Sequence, residues 1–123
     1  MFNKVKIKNN KILNSFLETI SGISDREYQE RVWVRGEGPE CDDYTETICH
    51  FFDDGDPIIS KYKVYGITNE QLTLLVKLRG AIEDFNSNVR FGLGPDFFYS
   101  AEWTHITQMA KEVLRTFNCQ QTK

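Results

Sequence analysis

The sequence predicts an all-α fold, a compact bundle of five to six helices joined by short loops. Three observations predict it. Apolar residues recur every three or four positions through most of the chain, which places them on one face of a helix. Capping patterns, in which Ser, Thr or Asp is followed three residues later by Glu or Gln, precede several of these stripes. Glycines stand after most of the stripes, where helices commonly end.

The N-terminal residues Met1 to Ile7 alternate loosely between apolar residues and lysines. This pattern leaves a short N-terminal strand and a frayed lead-in both open. A helical stripe follows, with Asn9 or Asn10 as its cap and Gly22 as its end. The residues of this stripe are Ile12, Leu13, Phe16, Leu17 and Ile20.

The segment that follows Gly22 has two interpretations. Ser24 and Glu27 have the spacing of a capping box, which starts a helix. The run Val32–Val34 instead favours a strand, because it consists of β-branched and aromatic residues. We choose a short helix that ends before Gly36, because the capping pattern precedes the run and a glycine follows it.

Two further helices are predicted on either side of Gly55. The first starts at the capping pattern Asp43–Glu46 and carries an apolar stripe of Tyr44, Ile48, Phe51 and Phe52. The run Asp53–Gly55 closes it. The second starts at Asp56–Pro57, where a proline costs no backbone hydrogen bond, and ends at Gly66.

The helix that starts at Thr68 is the predicted packing centre. Thr68–Gln71 is the clearest capping box in the chain, and the broadest apolar stripe follows it: Leu72, Leu75, Leu78, Ile82 and Phe85. Gly80 inside this helix costs about 1 kcal/mol relative to alanine, and the close approach of another helix would explain it. Ser100 caps the last helix, which buries Trp103, Ile106, Ala110, Val113 and Phe117.

Length and composition indicate one domain. The chain has 123 residues, of which 40% are hydrophobic and 13% aromatic, enough for a single core. We expect residues 1–8 and 118–123 to be loosely ordered. No apolar run approaches the roughly 20 residues that span a bilayer, and no signal-peptide pattern is present. We therefore expect a cytoplasmic protein without a membrane partner, whose Cys41, Cys49 and Cys119 are reduced.

Charge is distributed unevenly along the chain. The net charge is −3, but Gly36–Pro57 holds eight acids and no Lys or Arg, which gives −8 there and +5 elsewhere. The acids are Glu37, Glu40, Asp42, Asp43, Glu46, Asp53, Asp54 and Asp56. Aromatic residues within the stretch argue against a disordered tail, so we interpret it as an ordered acidic surface. Such a surface disfavours phosphate, so direct nucleic-acid binding is not expected.

A metal site is the first chemical hypothesis for this stretch. Asp42, Glu46 and His50 are spaced by four, which places them on one side of a helix, as in metal-binding bundles. The helix dipole accounts for the same residues, because acids favour the start of a helix and histidine its end. Glu83 and Asp84 are the only comparable pair elsewhere, without a suitably spaced histidine. We therefore expect no metal and no other cofactor.

Catalytic patterns are also lacking in the sequence. Cys49 and His50 are neighbours, which point about 100° apart on a helix and cannot act as a nucleophile and its base. His105 has no identified partner. We expect no catalytic residues and no enzymatic activity. The alternative function is an all-α, metal-dependent nucleotide hydrolase that uses the clustered carboxylates with Mg²⁺.

Three stretches carry a family resemblance. They are R-V-W-V-R-G-E-G-P-E at Arg31–Glu40, C-H-F-F-D-D-G-D-P-I-I at Cys49–Ile59 and G-I-T-N-E-Q at Gly66–Gln71. These stretches resemble small cytoplasmic immunity proteins of bacterial polymorphic-toxin and contact-dependent growth inhibition systems. The resemblance implies a monomer that binds the C-terminal domain of a cognate toxin in a 1:1 complex and blocks it. Many such toxins are nucleases, which are basic around their substrate channel.

The predicted partner surface rests on charge alone, because complementary charge speeds association and rejects wrong partners. It comprises the eight acids of Gly36–Pro57, with Tyr44 or Trp33 as an aromatic anchor. Trp33 also has a core interpretation, which we favour because large aromatic side chains usually supply buried area.

The central helix generates a stability prediction. Leu75→Ala and Ile82→Ala should each lower the free energy of unfolding by about 2–5 kcal/mol, because each truncates a buried side chain and leaves a cavity. Urea denaturation followed by circular dichroism measures this loss. Losses near zero for both variants would show that Thr68–Phe85 is not the packing centre.

Overall fold

The computed structural model describes residues 2–38, 43–89 and 98–121. Within them the chain is helical and contains no strand, so the predicted all-α fold is confirmed. The elements are α1 (Phe2–Ser24), α2 (Arg26–Tyr28), α3 (Tyr44–Ser60), α4 (Asn69–Val89) and α5 (Ala101–Gln121). A π-helical segment, Gln29–Val34, continues directly from α2. The extent of the domain and the loosely ordered ends stay predictions.

The four long helices form a closed ring, in which α1 packs on α3 and α5, and α4 packs on the same two helices. Helices that follow one another in the ring are antiparallel. The contacts that fix their directions are Tyr44–Asn86 and Asp56–Arg79 for α3 and α4, and Phe85–Trp103 and Gln71–Thr116 for α4 and α5. This is the up-and-down arrangement of a four-helix bundle.

One end of the bundle, which we call the Trp103 end, is where α1 and α4 finish and α3 and α5 begin. Gln29 hydrogen-bonds to Trp103 there, so α2 and the π-helical segment lie at this end. The turn at residues 61–66 lies at the opposite end and stops at Gly66, whose φ is +74°. None of the described helices combines the length and the apolar character that crossing a lipid bilayer requires.

Three predicted caps are confirmed. Thr68 and Gln71 form a reciprocal capping box, with bonds of 2.9 and 3.1 Å between each side chain and the other's backbone N–H. The Asp43 carboxylate accepts from the backbone N–H of Glu46 at 2.8 Å. The Ser100 hydroxyl accepts from the N–H of Trp103 at 3.1 Å. Each satisfies donors that the first turn of a helix leaves unpaired.

The core is built from the predicted stripes. Leu75, Leu78 and Ile82 of α4 are fully buried, and Leu72 is partly exposed at the edge. The stripe of α5 is buried along its whole length from Trp103 to Phe117. The short helix before Gly36 is confirmed as well, although most of it is π-helical.

The possible N-terminal strand is not found, because α1 begins at Phe2 and runs to Ser24. This helix passes through the predicted cap at Asn9 or Asn10 and through the predicted end at Gly22. A helix pairs its own backbone groups, whereas a strand needs a neighbour that the described chain does not offer. Gly22 does not stop the helix, since Ile23 beyond it is buried in the core. The next segment is capped by Asp25 and not by Ser24: the Asp25 carboxylate accepts from Tyr28 N–H at 3.1 Å.

The predicted break at Gly55 is also wrong, because α3 runs without interruption from Tyr44 to Ser60. Pro57 has no N–H to offer the carbonyl of Asp53, yet burial of Phe51 and Ile58 on one face holds the helix together. Gly55 serves packing. A Cβ at this position would lie 2.8 Å from Cε1 of the buried Phe16 ring.

Gly80 does not have the role that the sequence suggested. A Cβ added there would meet nothing within 4 Å, so no helix approaches it closely. The glycine that a close contact requires is instead Gly55, where the Phe16 ring of α1 lies against α3. The sequence alone predicts that Gly55 ends a helix.

The two glycines predict opposite effects of the same substitution. Gly80→Ala should raise the free energy of unfolding by about 0.5–1 kcal/mol, because alanine loses less backbone entropy and has room. Gly55→Ala should lower it by about 1–3 kcal/mol, because the Phe16 ring must move. Chemical denaturation of the two variants beside the wild type measures both. Changes of the same sign and size in the free energy of unfolding would show that Gly55 and Gly80 do not differ in their surroundings in this way.

Candidate functional site

An aromatic cluster joins four segments at the Trp103 end. The Trp103 ring is fully buried, with its centroid 5.6 Å from that of Tyr44, 5.3 Å from Phe85 and 6.0 Å from Trp33. Tyr44 starts α3, Phe85 belongs to the last turns of α4, and Trp33 belongs to the π-helical segment. Tilted and edge-to-face ring pairs of this kind add to the stabilisation from buried area. The cluster therefore fixes the start of α3, and the acids on it, relative to α5.

Gln29 is the polar centre of this end. Its side chain is fully buried, and its amide nitrogen donates to the carbonyls of Gly22 and Ile23 at 2.8 and 2.6 Å. Its amide oxygen accepts from the Trp103 indole N–H at 2.8 Å. One side chain thus satisfies two carbonyls at the end of α1 together with the buried indole. A buried polar group costs little when it is satisfied in this way.

Tyr44 belongs to the core and is only 5% exposed. Its hydroxyl donates to Oδ1 of Asn86 at 3.0 Å. Burial raises the pKa of Tyr44 above its ordinary value, since a phenolate would be poorly solvated there. The side chain therefore stays neutral and does not present its ring to a partner in this conformation. Trp33 packs against the core but remains partly exposed, so it keeps both of its predicted roles.

The predicted acids do not form one continuous patch. Glu40 and Asp42 lie outside the described residues. Glu37 follows the π-helical segment and pairs with Arg35, Nε to Oε1 at 3.3 Å. The acids on α3 differ in direction, because the helix turns by about 100° per residue.

The acids of α3 divide by position. Asp43 and Glu46 are exposed in its first turn, at the Trp103 end. Asp53 is exposed on the outer face, and Asp54 is partly buried beside α1. Asp56 faces α4 and is bound by Arg79 through two bonds of 2.7 and 3.3 Å.

Arg79 neutralises one of the predicted acids within the molecule itself. Its guanidinium also bonds to Glu83 at 3.1 Å and lies 5.1 Å from the centroid of the Phe52 ring. The bond to Asp56 raises the pKa of Arg79 further above its usual range. Asp56 is therefore, among the described acids of the predicted site, the one least available to a partner.

A cleft of about 490 Å³ is lined by residues of α1 and α3, and by Asp25 and Tyr28 beyond α1. Its lining includes Asp54 and His50 of α3, together with Glu18 of α1 and Asp25 beyond it. None of the described lining residues is Lys or Arg. Glu18 and Asp25 were missed from the sequence because they lie far from the acidic stretch. The signal that could have found them is the polar stripe Ser15, Glu18, Thr19 and Gly22, which has helical spacing beside the apolar one.

Acids from three of the four long helices, α3, α4 and α5, and from the segment after α1 gather at or near the Trp103 end. Besides Glu37, Asp43 and Glu46, the described acids there are Asp25, Glu27, Glu30, Glu83, Asp84 and Glu102. Arg26, Arg31 and Arg35 are the basic residues described at this end, and each contacts protein groups: Phe98, Tyr28 and Glu37 respectively. The basic side chains described toward the opposite end are Lys11, Lys61, Lys63, Lys77 and Arg115, with Lys111 at the middle of α5. The described acids in that half include Asp56, Glu70 and Glu112. The antiparallel helices therefore give the bundle a strongly acidic end, and an opposite end with a small excess of basic residues, which we call the basic end.

The described residues include no group of three His, Cys, Asp or Glu side chains placed to hold a metal ion. Glu46 and His50 do lie on one side of α3, as their spacing predicts, whereas Asp42 is outside the described residues.

Comparison of the chain with protein-family models, with curated protein sequences and with solved structures found no match in any of the three.

Tyr44 generates a prediction about alkaline pH. At pH 7, Tyr44→Phe should lower the free energy of unfolding by about 1–2 kcal/mol, because the variant lacks the hydroxyl that bonds to Asn86. Above pH ~10 a tyrosine ionises in the unfolded chain but Tyr44 stays neutral in the folded one. Unfolding then releases a proton, so this contribution falls as pH rises.

Urea titrations of both proteins between pH 7 and pH 11 test this sign. The stability gap should be constant up to about pH 10 and narrow above it. A gap that widens in alkali would show that the folded state favours the phenolate.

Proposed function

We propose that this protein is an immunity protein, which binds and neutralises a cognate toxin domain through the acidic Trp103 end of its bundle. The observation that carries the proposal is the gathering of acids from separate helices at one end, where the described chain has three arginines and no lysine. The proposed partner is a basic domain of the nuclease class. Such a domain needs positive charge for its phosphate substrate, so carboxylates can occupy the same positions.

Charge separation of this kind favours protein binding in one orientation. The acidic end attracts a cationic surface, and the basic end repels it. Complementary charge raises the association rate and rejects wrong partners. Rapid capture is what a cell needs from an inhibitor of a toxin that acts inside it.

Rigid placement of the acids supports the same proposal. The cap at Asp43 and the aromatic cluster behind Tyr44 hold the first turn of α3 in place. Glu102 lies one residue before Trp103, in the first turn of α5. Carboxylates fixed before the partner arrives lose less conformational entropy on binding. Binding as a monomer in a 1:1 complex, in the cytoplasm and without a cofactor, belongs to this proposal.

The structure changes which residues we assign to the surface. Glu37, Asp43 and Glu46 remain, with Asp25, Glu27, Glu30 and Glu102 added at the same end. Asp53 and Asp54 extend the surface along α3 and the cleft. Asp56 is left out because it lies away from the Trp103 end and Arg79 binds it through two bonds. The hydrolase alternative has no observation in its favour among the described residues.

A growth assay tests the function. From the proposal we expect a neighbouring reading frame that ends in a small basic domain. That domain is the probe, produced in a bacterial host with and without this chain. We expect the domain alone to stop growth, and co-production of this protein to restore it. Size-exclusion chromatography should then show a 1:1 complex. A toxic domain that this protein neither binds nor neutralises would overturn the proposal.

The location of the surface generates a separate prediction. Reversal of Glu46 and Glu102 to lysine should slow association with the toxin domain about tenfold at low salt, and less at high salt, because both changes lie at the Trp103 end. Stopped-flow mixing at several salt concentrations measures the rate. Far-UV circular dichroism should stay unchanged.

The control variant reverses Glu70 and Glu112, which are exposed acids toward the basic end. Glu70 lies in the first turn of α4, so its reversal disturbs a helix dipole in the same way as that of Glu102. The control changes net charge equally and should alter the association rate by less than about twofold. Equal slowing by both variants would exclude the Trp103 end as the binding surface.

A further inference from the structure

The segment Arg26–Arg35, which we call the strap, is shorter and less buried than the four long helices. It consists of α2 and the π-helical segment with its C-terminal cap. Only Gln29 and Val32 within it are buried. Segments that bury little apolar surface open at lower free energy than the core beneath them.

The backbone of the strap is unusual as well. The Arg35 N–H donates to the Glu30 carbonyl at 3.0 Å, a bond that spans five residues. Such π-helical bonds normally occur as single turns inside α-helices, often at functional sites. The strap ends at glycines in the left-handed region, Gly36 at φ +66° and Gly38 at φ +95°. These two residues can change φ without the steric cost of a side chain.

Side-chain contacts hold the strap to the bundle. Val32 is buried and Val34 packs against the core, and the polar and aromatic contacts of Gln29, Arg26 and Trp33 are the most specific. Gln29 bonds to the end of α1 and to the Trp103 indole, as described above. The Arg26 guanidinium donates to the Phe98 carbonyl at 3.0 Å, and its Cζ lies 4.3 Å from the Phe98 ring centroid. Trp33 packs its ring against Tyr44 and Trp103. All three are side-chain contacts with groups that the bundle itself positions, so the bundle can remain folded when they separate.

We propose that the strap opens and closes as one unit between Asp25 and the glycines, while the four long helices stay packed. The Gln29–Trp103 hydrogen bond is the latch. Its release also removes the Gln29 donor from the Ile23 carbonyl, which water can then reach, whereas the Gly22 carbonyl keeps the Asp25 N–H. Release of Trp33 uncovers the rings of Tyr44 and Trp103.

The opened end has a definite chemistry. The Tyr44 ring belongs to the residue after Asp43, at the same start of α3 as the exposed Glu46, and a guanidinium group binds both aromatic rings and carboxylates. An arginine of a basic partner fits such a place, and Tyr44 would then act as the anchor that the closed form does not offer. This consequence rests on the proposed function, whereas the opening of the strap does not.

Amide hydrogen exchange of the full-length protein, read residue by residue by NMR without any partner, tests the opening. We expect the strap amides to share one opening free energy and to exchange at least about a hundredfold faster than the slowest amides of α4 and α5. Strap amides as slow as those of α4 and α5, or rates scattered without a common value, would overturn the proposal.

Gln29→Met tests the latch, because methionine keeps the length of the side chain and removes the amide. It should speed exchange of the strap about tenfold and leave the slowest amides of α4 and α5 nearly unchanged. Gln71→Met is the matched control, since Gln71 is also buried but lies at the opposite end. It should speed the slowest amides without a selective effect on the strap. The reverse pattern would refute the latch.

Arg26→Met provides a second variant if Gln29→Met does not fold. It removes the bond to the Phe98 carbonyl from a partly exposed side chain, and should also speed exchange selectively in the strap. No selective change would count against the strap as a unit. Because this experiment needs no toxin domain, its failure leaves the proposed function standing, and failure of the growth assay leaves the strap standing.

Discussion

The hydrogen bond between the Trp103 indole and Gln29 is the interaction on which one end of the molecule depends. Trp103 is fully buried, so its N–H would cost about 1–3 kcal/mol without an acceptor. Gln29 supplies the acceptor and uses its own N–H donors on the end of α1. The indole, the strap and two helices therefore depend on a single amide. A partly satisfied buried network is less stable than a fully satisfied one, so loss of this amide weakens the Trp103 end.

The aromatic cluster around that bond links the core to the surface. Tyr44 is buried, but its neighbour Asp43 is an exposed cap. Trp103 is buried, but Glu102 before it is exposed. Aromatic residues thus hold the first turns of α3 and α5 in place. The backbone that carries the neighbouring carboxylates is therefore fixed as well. The acidic character of this end is consequently a property of the packed bundle and not of one stretch of sequence.

Local patterns predicted the helices well. The capping box at Thr68–Gln71 and the caps at Asp43 and Ser100 occur as expected, because each needs only residues within one turn. The glycines were less informative. Gly55 faces Phe16 of another helix and Gly80 faces open space, and neither neighbour can be known from the surrounding residues. The candidate site was predicted in part: the acids of Gly36–Pro57 are mostly exposed, but Asp56 is bound by Arg79 from α4.

The sequence by itself determined the helical class, the main stripes of the core and the existence of a dense acidic stretch. These follow from hydrogen bonds and apolar spacing within short segments. Tertiary structure decided which acids share an end, that Asp56 is paired, that Glu18 and Asp25 line the cleft with Asp54, and that Gln29 meets Trp103. The physical reason is that antiparallel packing brings together side chains that are distant in the sequence, such as Gln29 and Trp103. No local pattern encodes which helix lies beside which.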